Sequence, residues 1–454
     1  MKSLLVRGIH TLVTMNTGGE ELRNAAMLVR GNRIVAVGPE AALPPGPDDE
    51  VLDLKGRHIV LPGLVNTHHH FYQHLTRALP AAQDLDLFGW LQALYPVWAR
   101  MTPAGVQASA KLCAAELILS GCTTASDHLY IFPNGSRLDD EIEAVGETGL
   151  RFHASRGSMS VGESLGGLPP DSVVEDERAI LRDSERVIGA FHDPAELSML
   201  RITLAPCSPF SVSPDLMRES ARLARSHAGV RLHTHLGEND SDVEYSRQQF
   251  GKTPAEYAES VGWLGEDVWH AHCVCLDHAG MQRFAATGTG VAHCPSSNMR
   301  LASGIAPIRQ MLDAGVAVGL GADGAASNDA SSLLREARQA MLSARVRDRT
   351  ATAMSARAAL RLATTGGARV LGRSDIGALA PGMAADFIAV NIDTPRMAGA
   401  QHDPVAALLF CDADRVDYSY INGRCVVREG RFLPFELEPL CAQVNSLAHR
   451  MVNG

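Results

Sequence analysis

Leu61-Pro62-Gly63-Leu64-Val65-Asn66-Thr67-His68-His69-His70 is the stretch on which the reading of this chain turns. Val60, Leu61, Leu64 and Val65 mark a strand, and Pro62-Gly63 bends it. Side chains alternate along a strand, so His68 and His70 face one way and His69 the other. Two neutral imidazoles on one face make half of a metal site. Alone, such a pair is unremarkable in a chain of 454 residues with 18 histidines. Its meaning depends on whether other strands end with the missing ligands.

Outward from this strand the pattern alternates between strand and helix. Eight apolar, β-branched segments are strand candidates: 58–67, 123–127, 151–156, 201–207, 230–236, 268–273, 290–294 and 317–323. Helical stretches separate them. One is expected over 103–120, capped by Thr102 and closed by Gly121, and another over 214–228, capped by Ser213. Eight such units in sequence suit a closed parallel (β/α)8 barrel of the TIM type, an α/β fold. An open doubly wound sheet would bring a glycine-rich phosphate loop after its first strand, and here histidines take that place.

Both chain ends read as β-structure. Short strands lie at 4–6, 26–29 and 33–37, with a hairpin turn at Arg30-Gly31-Asn32. Near the C-terminus, 386–390 is a strand, and Asn422-Gly423 is the turn of a hairpin between 416–421 and 424–427. Each end alone is a marginal unit, so residues 1–58 and 376–454 are expected to form one small β-sandwich beside a barrel over 59–375.

Composition narrows the function classes. Hydrophobic residues make up 46% of the chain, and the mean hydropathy is −0.02, as in a globular protein with a sizeable core. The formal charge of −10 argues against nucleic acid or an anionic membrane as partner. No apolar run is long enough to span a bilayer, and Met1-Lys2-Ser3-Leu4 shows no leader pattern. The nine cysteines are scattered without framework spacing, which reads as reduced thiols in a cytoplasmic protein. Self-association into a homo-oligomer is expected for an acidic barrel of this size.

Catalytic groups of such barrels project from the C-terminal ends of the strands. The fifth strand runs Leu232-His233-Thr234-His235-Leu236-Gly237-Glu238, the sixth Trp269-His270-Ala271-His272, and the eighth Gly321-Ala322-Asp323-Gly324. Singly, each of these polar residues has an ordinary structural explanation; together they recur in register at the functional ends of the strands. His68, His70 and His235 supply three nitrogens and Asp323 an oxygen, leaving room for a water. That set suits one divalent cation, Zn2+ first, with Fe2+ or Mn2+ as alternatives. Lys2, Lys55, Lys111 and Lys252 are the only lysines, and none ends a barrel strand, so a lysine bridging two metals has no source. His233 and His270, two residues before their partners, are expected to face as those do and to pack near the barrel floor.

A cation there makes a water nucleophilic near neutral pH. Asp323 can take a proton, Glu238 can shuttle one to a substrate nitrogen, and His272 can donate a hydrogen bond to the attacking oxygen. The set suits hydrolysis at an sp2 carbon bearing a leaving amine, ring C–O or C–N bond.

These motifs resemble the amidohydrolase superfamily in its mononuclear deaminase branch, over nearly the whole chain. The resemblance includes Pro62 to His70, the His235/Glu238 pair, Ala271-His272-Cys273-Val274, His293-Cys294-Pro295-Ser296-Ser297-Asn298 and Gly321 to Asn328. It implies metal ligands His68, His70, His235 and Asp323, proton transfer by Glu238 and Asp323, and polarisation by His272. Gln73, three residues after His70, matches a glutamine with which guanine deaminases bind the base, and Trp90-Leu91 matches their tryptophan–leucine step. Cys207 stands where guanine deaminases place an arginine and S-adenosylhomocysteine deaminases a histidine; Gly89 replaces an acidic ribose contact.

Gln73 to Ala78, Ala81 to Asp84 and Leu94 to Trp98 resemble the 8-oxoguanine deaminases and their hydroxyatrazine-type relatives. That resemblance implies a purine-like small-molecule substrate, attack at C2 of 8-oxoguanine, loss of ammonia and formation of uric acid. Guanine and isocytosine share the same 2-amino amidine. Gln73, Trp90 and Cys207 are the expected substrate contacts. Two other readings stand beside this one: a hydrolase of triazines or cyclic amides with different pocket residues, and an inactive structural homologue. The last requires no bound metal and no loss of activity in His235→Ala.

Overall fold

The computed structural model describes residues 3–454. Eight parallel strands close into a barrel in chain order. They are β1 (Leu64–Asn66), β2 (Cys122–Leu129), β3 (Arg151–Ser158), β4 (Leu200–Pro206), β5 (Arg231–Leu236), β6 (Val268–His272), β7 (Gly290–His293) and β8 (Ala317–Leu320). β8 returns to β1 through the Leu320–Asn66 pairing, reinforced where the Thr67 N–H and hydroxyl both donate to the Leu320 carbonyl. Helices cover the outside, so the barrel strands are buried on both faces.

The expected first strand, 58–67, is two strands. Asp49–Pro62 runs in an outer sheet, paired with Phe387–Asn391 as far as Pro62, and only Leu64–Asn66 enters the barrel. The hand-over therefore falls at Gly63, not at residue 58. Gly63 donates to the Asp386 carbonyl of the outer sheet, while Leu64 donates to the Gly121 carbonyl beside the barrel. A Cβ at Gly63 would lie 2.1 Å from the Thr123 hydroxyl oxygen, so the bend admits no side chain. An apolar run does not say which of two sheets its backbone pairs with, and only the Pro-Gly step hinted at the break.

The terminal β-sandwich expected from the two chain ends takes the form of one eight-stranded mixed sheet with its own core, including Val6, Ile9, Leu12, Met27 and Phe387. Its C-terminal hairpin turns at Asn422 and Gly423, both with positive φ, as a two-residue turn between right-twisted strands requires. A buried ion pair locks the sheet to the barrel floor. Arg151 of β3 donates from Nε to Asp386 Oδ2 at 2.9 Å and from Nη2 to Oδ1 at 3.1 Å.

α1 (Leu87–Trp98) crosses above the barrel mouth, capped by the Asp86 carboxylate accepting from Gly89 N. α2 (Pro103–Leu119) starts at Thr102 as expected. The helix capped by Ser213 stops at Arg225, three residues short of expectation, where the chain tightens before Gly229 in its left-handed conformation. The tail holds α3 (Leu437–Asn453), which packs on α2. All nine cysteines are free, and among the described residues no helix is long and apolar enough to cross a membrane.

Candidate metal centre and active site

His68, His70, His235 and Asp323 converge at the C-terminal mouth of the barrel, all buried. The hydrogen bonds behind each ring settle its tautomer. A carbonyl only accepts, so His70 Nδ1 donates to the His128 carbonyl at 2.7 Å, and His235 Nδ1 donates to the Cys207 carbonyl at 2.6 Å. His233 Nδ1 donates to the Trp269 carbonyl at 3.0 Å; its Nε2 therefore accepts from His68 Nδ1 at 2.7 Å. Each of the three rings is left with a bare Nε2 lone pair aimed at one point. Burial pushes all three imidazoles down, His235 to about 3, so they stand neutral, as a ligand must.

These lone pairs face one another without a proton between them. His70 Nε2 and His235 Nε2 are 3.2 Å apart; Asp323 Oδ1 lies 3.2 Å from His68 Nε2 and 3.3 Å from His70 Nε2. His68 Nε2 has no hydrogen-bond partner. A tetrahedral ion with ligands at about 2.0–2.1 Å spaces them by about 3.3 Å, so the residues present fit a single divalent cation. Burial pushes the Asp323 carboxyl up, but the adjoining imidazoles of His68, His272 and His70 outweigh it and hold it well below the usual carboxylate range.

Glu238 and His272 complete the polar side of the site. His272 Nε2 lies 3.5 Å from Glu238 Oε2 and 3.8 Å from Asp323 Oδ2, and its Nδ1 donates to Asn298 Oδ1 at 2.8 Å. Burial pushes Glu238 up to about 7, with His272 opposing and Asp323 and Asp242 adding. Burial also opposes charge on His272, yet Glu238 and Asp323 together lift it above its ordinary value. A proton on either partner satisfies the contact, so the pair is poised to exchange one near neutrality.

These groups form the floor of a cavity of about 380 Å3, its mouth included. α1 supplies the roof through Leu87, Trp90, Leu91 and Tyr95, at helical i, i+3, i+4, i+8 spacing. Gln73 enters from the turn after His70. Its amide Oε1 and Nε2 are both buried and without partner. It lies so close to Gly324 that a Cβ there would sit 1.8 Å from Oε1.

The profile of the amidohydrolase family matches residues 59–426, most of the chain. The protein belongs to that family. The chain is 47% identical over 430 residues to the 8-oxoguanine deaminase of Pseudomonas aeruginosa PAO1, covering 94% of this chain and 95% of that one. It is 39% identical to the hydroxydechloroatrazine ethylaminohydrolase of Pseudomonas sp. strain ADP, over 100% and 97% of the two chains. Among solved structures it resembles the atrazine chlorohydrolase of Arthrobacter aurescens TC1 complexed with zinc, with TM-score 0.92, 34% identity, and coverage of 98% and 100%. It is thus a metal-dependent amidohydrolase of the deaminase group, hydrolysing C–N bonds.

In this amidohydrolase the three expected base contacts, Gln73, Trp90 and Cys207, all line the cavity. Trp90 also holds the loop after β8 through its indole N–H to the Ala326 carbonyl at 3.1 Å. Burial pushes the Cys207 thiol up to about 12, so it is an inert wall. His270 does not share the facing of His272, contrary to expectation. It points outward to the Trp263 carbonyl and the Phe284 ring, because φ of +68° at His272 breaks the strand's alternation. His233 lies directly beneath His68 and fixes its tautomer. Sequence reasoning passed over Tyr95, Tyr130, Phe210, Leu301 and Ser327, which also line the cavity. Only Tyr95 had a signal, its place on the apolar stripe of α1. The supporting parts of His128 and Cys207 are backbone carbonyls, which no residue pattern announces.

Proposed function

We propose that this amidohydrolase is a zinc-dependent deaminase that removes the 2-amino group of 8-oxoguanine, giving uric acid and ammonia, with guanine and isocytosine as poorer substrates. One water enters for each ammonia released. The observation that carries the reading is the Gln73 amide, buried and unpartnered in the cavity wall. An amide offers a donor and an acceptor side by side, which matches the lactam edge of an oxopurine, and a buried pair left unmatched is costly. The 47% identity to an 8-oxoguanine deaminase supports the same substrate.

In this proposal His68, His70, His235 and Asp323 hold the cation, which when bound supplies Lewis acidity that activates water. Glu238 carries one proton of the attacking water to the ring nitrogen, a task suited to a carboxyl with a pKa of about 7. The second proton leaves the hydroxyl added at C2 for the amine, with Asp323 beside it to accept and pass it on, so that the C–N bond breaks, ammonia departs and C2 becomes a carbonyl. His272, aimed by Asn298, donates toward the oxygen on which charge develops. α1 covers the reacting face and limits water.

The second reading, a triazine aminohydrolase, is favoured by the 39% identity to the hydroxydechloroatrazine enzyme. It keeps the same metal ligands and assigns the cavity a single ring. A panel over 8-oxoguanine, guanine, isocytosine, cytosine, adenosine and hydroxylated triazines, reading release of ammonia and, from the triazines, of alkylamine, separates the two, with uric acid followed in parallel. Release from a triazine without release from 8-oxoguanine refutes the proposal.

A further inference from the structure

We propose that Tyr95 reads the oxygen-bearing five-membered ring of the substrate and so sets a preference for the oxidised purine over guanine. This inference rests on the function proposed above and names the residue that selects within it.

Polar heads along the roof are satisfied within the protein, except one. Trp90 N–H is taken by the Ala326 carbonyl and Trp98 N–H by the Thr76 hydroxyl. Tyr95 is fully buried and lines the cavity, yet its hydroxyl has no partner. Tyr130 also lines the cavity, but at its floor, with its ring centroid 5.2 Å from that of His70 and 6.3 Å from that of His235. An unpaired buried hydroxyl is retained at a cost that a ligand removes on binding.

The surroundings define what that ligand part is. Leu87, Leu91 and Phe210 are apolar, and the charged groups of the cavity, Glu238, His272 and Asp323, all lie at the floor. Tyr95 therefore faces a neutral, planar, largely apolar group carrying a hydrogen-bonding atom. With C2 of a purine over the floor, the edge turned to the roof is C8. In 8-oxoguanine that edge holds a carbonyl oxygen flanked by two N–H groups. Guanine has C–H at the same place, and a phenol donates to the first and not to the second.

The test is steady-state kinetics of metal-loaded wild type and Tyr95→Phe on 8-oxoguanine, with guanine measured as substrate or as competitive inhibitor. Loss of one neutral hydrogen bond made in both ground and transition state raises KM for 8-oxoguanine about three- to tenfold with little change in kcat. Affinity for guanine changes less, so the preference for 8-oxoguanine narrows in the variant. If wild type deaminates 8-oxoguanine and that preference holds in Tyr95→Phe, this inference is overturned while the proposed function stands. Equal losses on both purines overturn it too, because they mark a packing role. If wild type releases no ammonia from 8-oxoguanine, the proposed function fails and this inference falls with it.

Discussion

Gly324→Ala tests the pocket geometry without touching a metal ligand. The new methyl carbon would lie 1.8 Å from Gln73 Oε1, 2.3 Å from Cδ and 3.0 Å from Nε2. The amide must retreat by about 1.2 Å to restore a 3.0 Å contact with its oxygen. It is the far end of a flexible side chain and gives up no protein hydrogen bond by moving. Overpacking costs about 1–3 kcal/mol, of which the reduced freedom of the unfolded chain offsets about 0.4–1. The variant is therefore expected to fold and to bind metal. Substrate positioning is less forgiving: a displacement near 1 Å costs about 10²-fold in rate, so kcat/KM on 8-oxoguanine should fall by about that factor. The assay is ammonia release by the single variants and by Gly324→Ala in a Gln73→Ala background. With the amide already removed, the added methyl has nothing to displace, and its further effect should stay within about threefold. Additive losses in the double variant refute the argument, since they show that the methyl acts through something other than Gln73.

His233→Ala removes the acceptor that fixes the His68 tautomer; metal affinity, read by chelator competition, should fall about 10–100-fold while the metal-free fold is kept. Glu238 must be ionised to take a proton, and burial sets its pKa at about 7, so kcat/KM should decline as pH drops through that value. Glu238→Gln should lose this acid limb together with about 10²–10⁴ in kcat, and a limb that persists in the variant assigns it to another group. Asp386→Ala strands a fully buried guanidinium and should cost about 3–5 kcal/mol in denaturant unfolding; a loss below 1 kcal/mol shows that Arg151 finds other acceptors.

Much of this was legible because barrel chemistry is written at strand ends. His68 and His70 follow from period-two alternation, and His235, Glu238 and Asp323 stand where parallel strands open onto the mouth. What stayed hidden was pairing and backbone. The run through Leu61 and Leu64 looks like one strand, yet its halves join different sheets, since apolar character records burial and not the hydrogen-bond partner. The carbonyls of His128 and Cys207 carry no side-chain signature. Tyr95 was legible only as part of the Leu94 to Trp98 segment, and its unpaired hydroxyl emerges only once its neighbours are placed.

The same limit explains His270, and the explanation reaches the chemistry. Alternation would turn His270 and His272 to one side, and with Trp269 stacked on His233 inside the barrel, that side is the outside. His272 reaches the site because its φ of +68° and that of Cys273, +49°, turn the chain at the strand end. Asp323 does likewise at +59°. Left-handed backbone costs a non-glycine residue about 1–2 kcal/mol, and three such residues lie around one cavity. Strain of this kind persists where surrounding contacts over-determine it. Here Asn298 grips His272 Nδ1, and the Asp323 N–H donates to the His68 carbonyl at 3.1 Å. Asn298→Ala should therefore free His272 to swing away, lowering kcat while leaving metal content intact. Loss of metal in that variant would show instead that the grip supports the ligands themselves.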